Sequence, residues 1–140
     1  LFFNCIKNQG RNIVENELIY DGKIYYIDFD DLEKKLSNPL TTMMIYATLK
    51  NPSGRIWTKE ELSKIGELCN KYNVVVLSDE IHCDLTDPDC NYIPFASVSD
   101  VCKNVSVTCV STSKTFNVAG LHSATVIIPN EKLKIMLPEA

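Results

Sequence analysis

The stretch TTMMIYATLKNPSGRIWTKEELSKIGELCNKYNVVVLSD, residues 41–79, decides the fold. Residues 41–49 are an apolar run of strand length that ends at the turn-forming group Asn51-Pro52-Ser53-Gly54. Thr58 and Glu61 then make a capping box, and Leu62, Ile65, Leu68, Cys69 and Tyr72 mark one apolar helical face. VVVLSD, residues 74–79, follows at once as a continuous, mostly β-branched run, the pattern of a strand buried on both faces of a parallel sheet. Strand, helix, strand is a βαβ unit, which implies a right-handed crossover.

The same order continues outward. RNIVENELIY, residues 11–20, reads as a strand, with a turn at Asp21-Gly22 and a short extended stretch at KIYYI. In DFDDLEKKLSNP, Asp28 is an N-cap, Phe29, Leu32 and Leu36 recur at helical spacing, and Ser37-Asn38-Pro39 ends the pattern. Beyond residue 79, IPFASVSD reads as a short helix or loop. VSVTCV (105–110) and HSATVIIPN (122–130) read as further strands, and EKLKIMLPEA as a helix cut short. The pattern predicts one α/β domain, a three-layer α/β/α arrangement with a mostly parallel sheet and ligands at the carboxyl ends of its strands.

With 140 residues, 45% apolar and 23% charged, the chain has the composition of an ordinary globular domain, so disorder and fibre are excluded. A formal charge of −4 with both signs interspersed offers no cationic face for nucleic acid or anionic lipid. No apolar run approaches the roughly 20 residues that span a bilayer, and LFFNCIKNQGR lacks the order of a secretory signal, so a cytoplasmic protein without membrane partners is expected. Six cysteines occur without any CxxC pair. His82, Cys83 and Cys90 have a spacing that fits no common zinc pattern, and free thiols with no metal are expected.

Polar residues gather at three predicted strand ends: Asn51 after the first, Asp79 and His82 after VVVL, and Ser111, Ser113 and Lys114 after VSVTCV. Taken singly each has a plain explanation, since aspartate caps turns, Asn-Pro makes turns, serines serve local turns and a lysine after a strand is a surface charge. A parallel sheet brings them to one edge, where amine, carboxylate, amide, imidazole and hydroxyls meet without a GxGxxG or P-loop. That set fits a pyridoxal phosphate site, in which a lysine takes the aldehyde, a carboxylate keeps the pyridine nitrogen protonated, and hydroxyls and backbone amides hold the phosphate.

NPSGRIWTKEEL, VVVLSDEIHCDL, STSKTFNVAGL and VIIPNEKL, in this order, resemble the MalY/PatB branch of fold-type I pyridoxal-phosphate enzymes, within the class I/II aminotransferase superfamily. The resemblance covers nearly the whole chain. It implies a C–S β-lyase that converts cystathionine or cysteine-type substrates, amino acids with a sulfur leaving group, to a thiol, ammonia and pyruvate. By the same resemblance Lys114 matches the cofactor-bearing lysine, Asp79 the partner of the pyridine nitrogen, and Asn51 the asparagine on the phenolic oxygen. His82 falls where many members of the superfamily have a tyrosine, and Ser111 and Ser113 fall where hydroxyls meet the phosphate. Two departures stand out: ATLKNP where the family often reads CNPHNP, and GLH, with His122, where many aminotransferases have an arginine.

The resemblance further implies that residues 1–140 are the central part of the large, cofactor-binding domain. The N-terminal segment and the C-terminal small domain would be absent, the piece alone inactive, and the parent a homodimer. Alternatives are a pyridoxal-phosphate aminotransferase, whose chemistry is shared up to the carbanion, and a non-catalytic binding or regulatory fragment.

Overall fold

The computed structural model describes residues 2–47, 54–87 and 89–136, the last without its side chain. Asn51, the cofactor asparagine implied above, lies outside the described residues, as do the last two residues of the predicted strand 41–49. The elements run α1 (Phe2–Asn8), β1 (Leu18–Tyr20), β2 (Tyr25–Ile27), α2 (Phe29–Leu36), β3 (Met43–Ala47), α3 (Lys59–Lys71) and β4 (Val75–Asp79). A 3₁₀ turn at Phe95–Ser97 then leads to α4 (Asp100–Val105), β5 (Ser106–Val110), α5 (Thr112–Thr115), a second such turn at Ala119–Leu121, β6 (Thr125–Ile127) and α6 (Glu131–Met136).

The expected α/β class and mostly parallel sheet are borne out. The main sheet has the order β3-β4-β5-β6, with β3, β4 and β5 parallel and β6 antiparallel to β5. The βαβ unit is β3-α3-β4, and the capping box forms: Glu61 N–H donates to Thr58 Oγ1 (3.3 Å) while Glu61 Oε2 accepts from Thr58 N–H (2.8 Å). The second carboxylate oxygen of Glu61 takes Arg55 Nη2 at 2.7 Å. Arg55 also donates to the Tyr25 carbonyl and stacks 4.6 Å from the Trp57 ring, tying the β1–β2 hairpin to the start of α3. Asp28 caps α2 as predicted, its Oδ1 accepting from Asp31 N–H at 2.9 Å.

Leu62, Ile65, Leu68 and Cys69 of α3 are buried against Tyr46 and Val76 of the sheet and Phe95 and Cys102 beyond it. Each fully buried aliphatic side chain there contributes about 1.5–3 kcal/mol. Gly66 lets α4 approach α3: a Cβ at that position would lie 2.4 Å from Cys102 Sγ and 3.4 Å from Cys102 Cα. Strand alternation then divides β4. Val74, Val76 and Ser78 are buried on the helix-packed face, while Val75, Leu77 and Asp79 on the other face are only half-buried. The expectation that VVVLSD is buried on both faces thus holds for one face among the described residues.

Three further expectations change. The strand predicted over 11–20 is limited to Leu18–Tyr20, because its partner Tyr25–Ile27 is only three residues long across the Asp21-Gly22 turn. That turn forms as predicted, with Asp21 Oδ1 accepting from Lys23 and Ile24 N–H and Gly22 at φ 94°. The strand predicted over 122–130 shortens to Thr125–Ile127, since His122 takes a left-handed conformation (φ 48°) that extended pairing does not admit. Helix α1, with no buried residue, was not signalled by its sequence.

Candidate active site

Because β3, β4 and β5 are parallel and in register at Ala47, Asp79 and Cys109, their carboxyl ends form one level edge. Asp79 is the last residue of β4. Lys114 sits in α5, the single helical turn that begins directly after β5. The sequence stops the strand there because Ser111 caps the turn: its Oγ accepts from Ser113 N–H at 3.1 Å. The lysine amine is exposed and makes no hydrogen bond or ion pair among the described residues.

Asp79 is half-buried, and its Oδ1 accepts from Ile81 N–H at 3.3 Å. Its cross-strand neighbour Cys109 carries a thiol lifted above the ordinary range, first by burial and then by the Asp79 charge. His82 is half-buried in the turn after β4, where its carbonyl accepts from Leu85 N–H at 2.9 Å. That turn is fastened to the helix carrying Lys114, since Thr115 Oγ1 donates to Asp84 Oδ2 at 2.8 Å. The sequence reading did not single out Asp84 or Thr115, whose pairing joins residues 31 positions apart.

The two serines differ in what they have left to offer. Ser111 Oγ, besides accepting from Ser113 N–H, donates to the Ser123 carbonyl at 2.6 Å and lies 2.8 Å from Ser113 Oγ. It links α5 to the approach of β6. Beside it opens a cavity of about 190 Å³ lined by Cys83, Asp84, Val110, Ser111, Thr112 and Ser123, among others. Asp79, His82 and Lys114 do not line it. Burial, then the neighbouring Asp84, raises the Cys83 thiol. Among the described residues no group of three His, Cys, Asp or Glu side chains is placed to hold a metal ion, and all six cysteines are free thiols.

An amine on the capped turn after one strand and a carboxylate at the end of the adjacent parallel strand define a candidate covalent-catalysis site of an α/β enzyme. The chain belongs to the family described as aminotransferase class I and II, whose profile matches residues 4–137. Among curated proteins it is 48% identical over 129 residues to cystathionine beta-lyase PatB of Bacillus subtilis, covering 92% of this chain and 33% of that protein. It is 32% identical over 129 residues to protein MalY of Escherichia coli, covering 92% of this chain and 32% of that protein. A solved neighbour is the PLP-bound C-S lyase of Staphylococcus hominis, with TM-score 0.88 and 37% identity over 94% of this chain and 34% of that one. The resemblance to the MalY/PatB branch is thereby borne out. The chain spans about a third of the length of the curated relatives it matches.

Proposed function

We propose that this chain is the central part of the large domain of a pyridoxal-phosphate-dependent C–S β-lyase. The N-terminal segment and small domain would lie outside it. The observation that carries the reading is the placement of Asp79 and the Lys114 turn at the ends of two adjacent parallel strands, with the Lys114 amine unpartnered among the described residues. The donor set fits the cofactor: an uncommitted amine for its aldehyde and a half-buried carboxylate for its ring nitrogen. Asn51 and His82 would serve the phenolic oxygen. Ser113 and Ser111 would serve the phosphate, with Ser111 partly committed to its own turn.

When bound, the cofactor supplies an electron sink for the pair released at the substrate's Cα. Lys114 would hold the cofactor by its aldehyde, and its amine is the group placed to serve as base for the proton on the substrate's Cα. Asp79 would hold the proton on the cofactor's ring nitrogen. The leaving group departs from Cβ as a thiolate, and with water the products balance as thiol, ammonia and pyruvate. The parent would act in the cytoplasm as a homodimer on amino acids with a sulfur leaving group, without nucleic-acid or membrane partners. Six free thiols support a reducing compartment, and among the described residues no helix is long and apolar enough to cross a membrane.

Incubating the full-length protein with cystathionine tests this. Pyruvate and ammonia released without any 2-oxo acid present support the lyase. Turnover that requires a 2-oxo acid identifies an aminotransferase instead, and no turnover with either leaves a binding protein. The 140-residue chain alone is expected to be inactive.

A further inference from the structure

The helix-packed face of β4 ends in a charged group that the proposed chemistry does not use. Strand parity carries Val74, Val76, Ser78 and Glu80 to one side and Asp79 to the other. Glu80 is only 2% exposed, and a carboxylate that deep must have its charge met by donors. Ser78 Oγ donates to Oε1 at 2.8 Å, Phe95 N–H donates to Oε1 at 3.0 Å, and the Tyr92 hydroxyl donates to Oε2. Among the described residues no lysine or arginine pairs with it.

The backbone of the same residue holds the other side of the junction. Glu80 N–H donates to the Cys109 carbonyl at 2.9 Å, and its own carbonyl accepts from Cys83 N–H at 3.0 Å. One residue therefore joins the ends of β4 and β5, the turn that carries His82, and the 92–95 segment leading into α4. An apolar side chain would fill the same space with no preference for where those donors sit. A buried carboxylate does have one, because moving any of the three away leaves an unmet charge or an unmet donor.

We infer that Glu80 is a positioning residue, whose buried, hydrogen-bonded carboxylate fixes the turn after β4 and thereby the places of Asp79 and His82 at the strand ends. This rests on the cofactor reading above.

The test uses the full-length holoenzyme and four variants: Glu80→Ala, Glu80→Gln, Tyr92→Phe, and Ile65→Val as a control that loosens the core within α3. The readouts are the pyridoxal phosphate dissociation constant, the pH titration of the bound cofactor's visible absorbance, and, in the cofactor-free protein, amide exchange across residues 79–85. Glu80→Ala should weaken cofactor binding roughly tenfold, displace the titration and speed exchange in that segment. Tyr92→Phe should do the same to a smaller extent. Glu80→Gln, which keeps an acceptor for Ser78 and Phe95 but not for Tyr92, should match Tyr92→Phe rather than Glu80→Ala, and Ile65→Val should leave the titration in place. If Glu80→Ala fails to fold, Tyr92→Phe decides alone: a displaced titration supports the inference and an unmoved one overturns it. Equal effects of Ile65→Val and the Glu80 and Tyr92 variants also overturn it. A wild type that does not carry cofactor on Lys114 removes the functional reading and this inference together, whereas a wild type that does, with unmoved variants, removes the positioning role alone.

Discussion

The α3–α4 layer and the carboxyl edge of the sheet are built on the same strands to opposite ends. On the layer side, Ile65, Cys69 and Cys102 have no exposed surface, and of the polar groups that enter, Ser78 donates to Glu80 while Thr108 Oγ1 is buried without a hydrogen-bond partner among the described residues. At the edge, Lys114 is exposed and the Asp79 carboxylate accepts a single hydrogen bond among the described residues, from Ile81 N–H. One region commits its side chains to packing, and the other leaves the Lys114 amine without a partner among the described residues. Substitutions in the two regions should therefore separate stability from activity.

The largest effect expected is at the edge. Lys114→Ala should lower lyase turnover of the full-length protein by roughly 10²–10⁴-fold from loss of the base alone, with an unchanged denaturation midpoint of the cofactor-free protein because the side chain is exposed. A lowered midpoint would break the separation. Ile65→Ala should do the reverse, costing about 2–5 kcal/mol in chemical denaturation while the folded fraction still holds cofactor. Gly66→Ala should cost about 1–3 kcal/mol, since Cys102 is enclosed and cannot yield to the added Cβ. Pairing it with Cys102→Ala should recover part of that loss, and a purely additive double variant would contradict the packing account.

A further effect is one of pH. Burial holds the Cys69 thiol at about 12, against an ordinary 9.0, so the unfolded chain ionises first. The folded pKa is raised, so this contribution is fully present below pH 9 and is lost as pH climbs toward 12, at no more than about 1.4 kcal/mol per pH unit. Cys69→Ala should flatten that alkaline decline in denaturation midpoints. An unchanged slope would place the thiol's ionisation elsewhere.

What the sequence made legible follows the same division. Helix α3 was readable because its cap, its apolar stripe and its end lie within one local stretch, as were β4 and β5 from their β-branched runs. Lys114 and Asp79 were readable as polar residues where such runs stop. Glu80 was not, because its partners Tyr92 and Phe95 lie 12 and 15 residues on, and an acidic residue after a strand reads as solvated. Its parity with Val74, Val76 and Ser78 was the available signal. The lengths of β1 and β6 depend on what each pairs with, which local pattern does not specify.

The most direct measurement is borohydride reduction of the full-length protein with pyridoxal phosphate, followed by peptide mass mapping. The account predicts one reduced adduct, on Lys114, lost in Lys114→Ala. Labelling spread over other exposed lysines, with Lys114 no more modified than the rest, would contradict it.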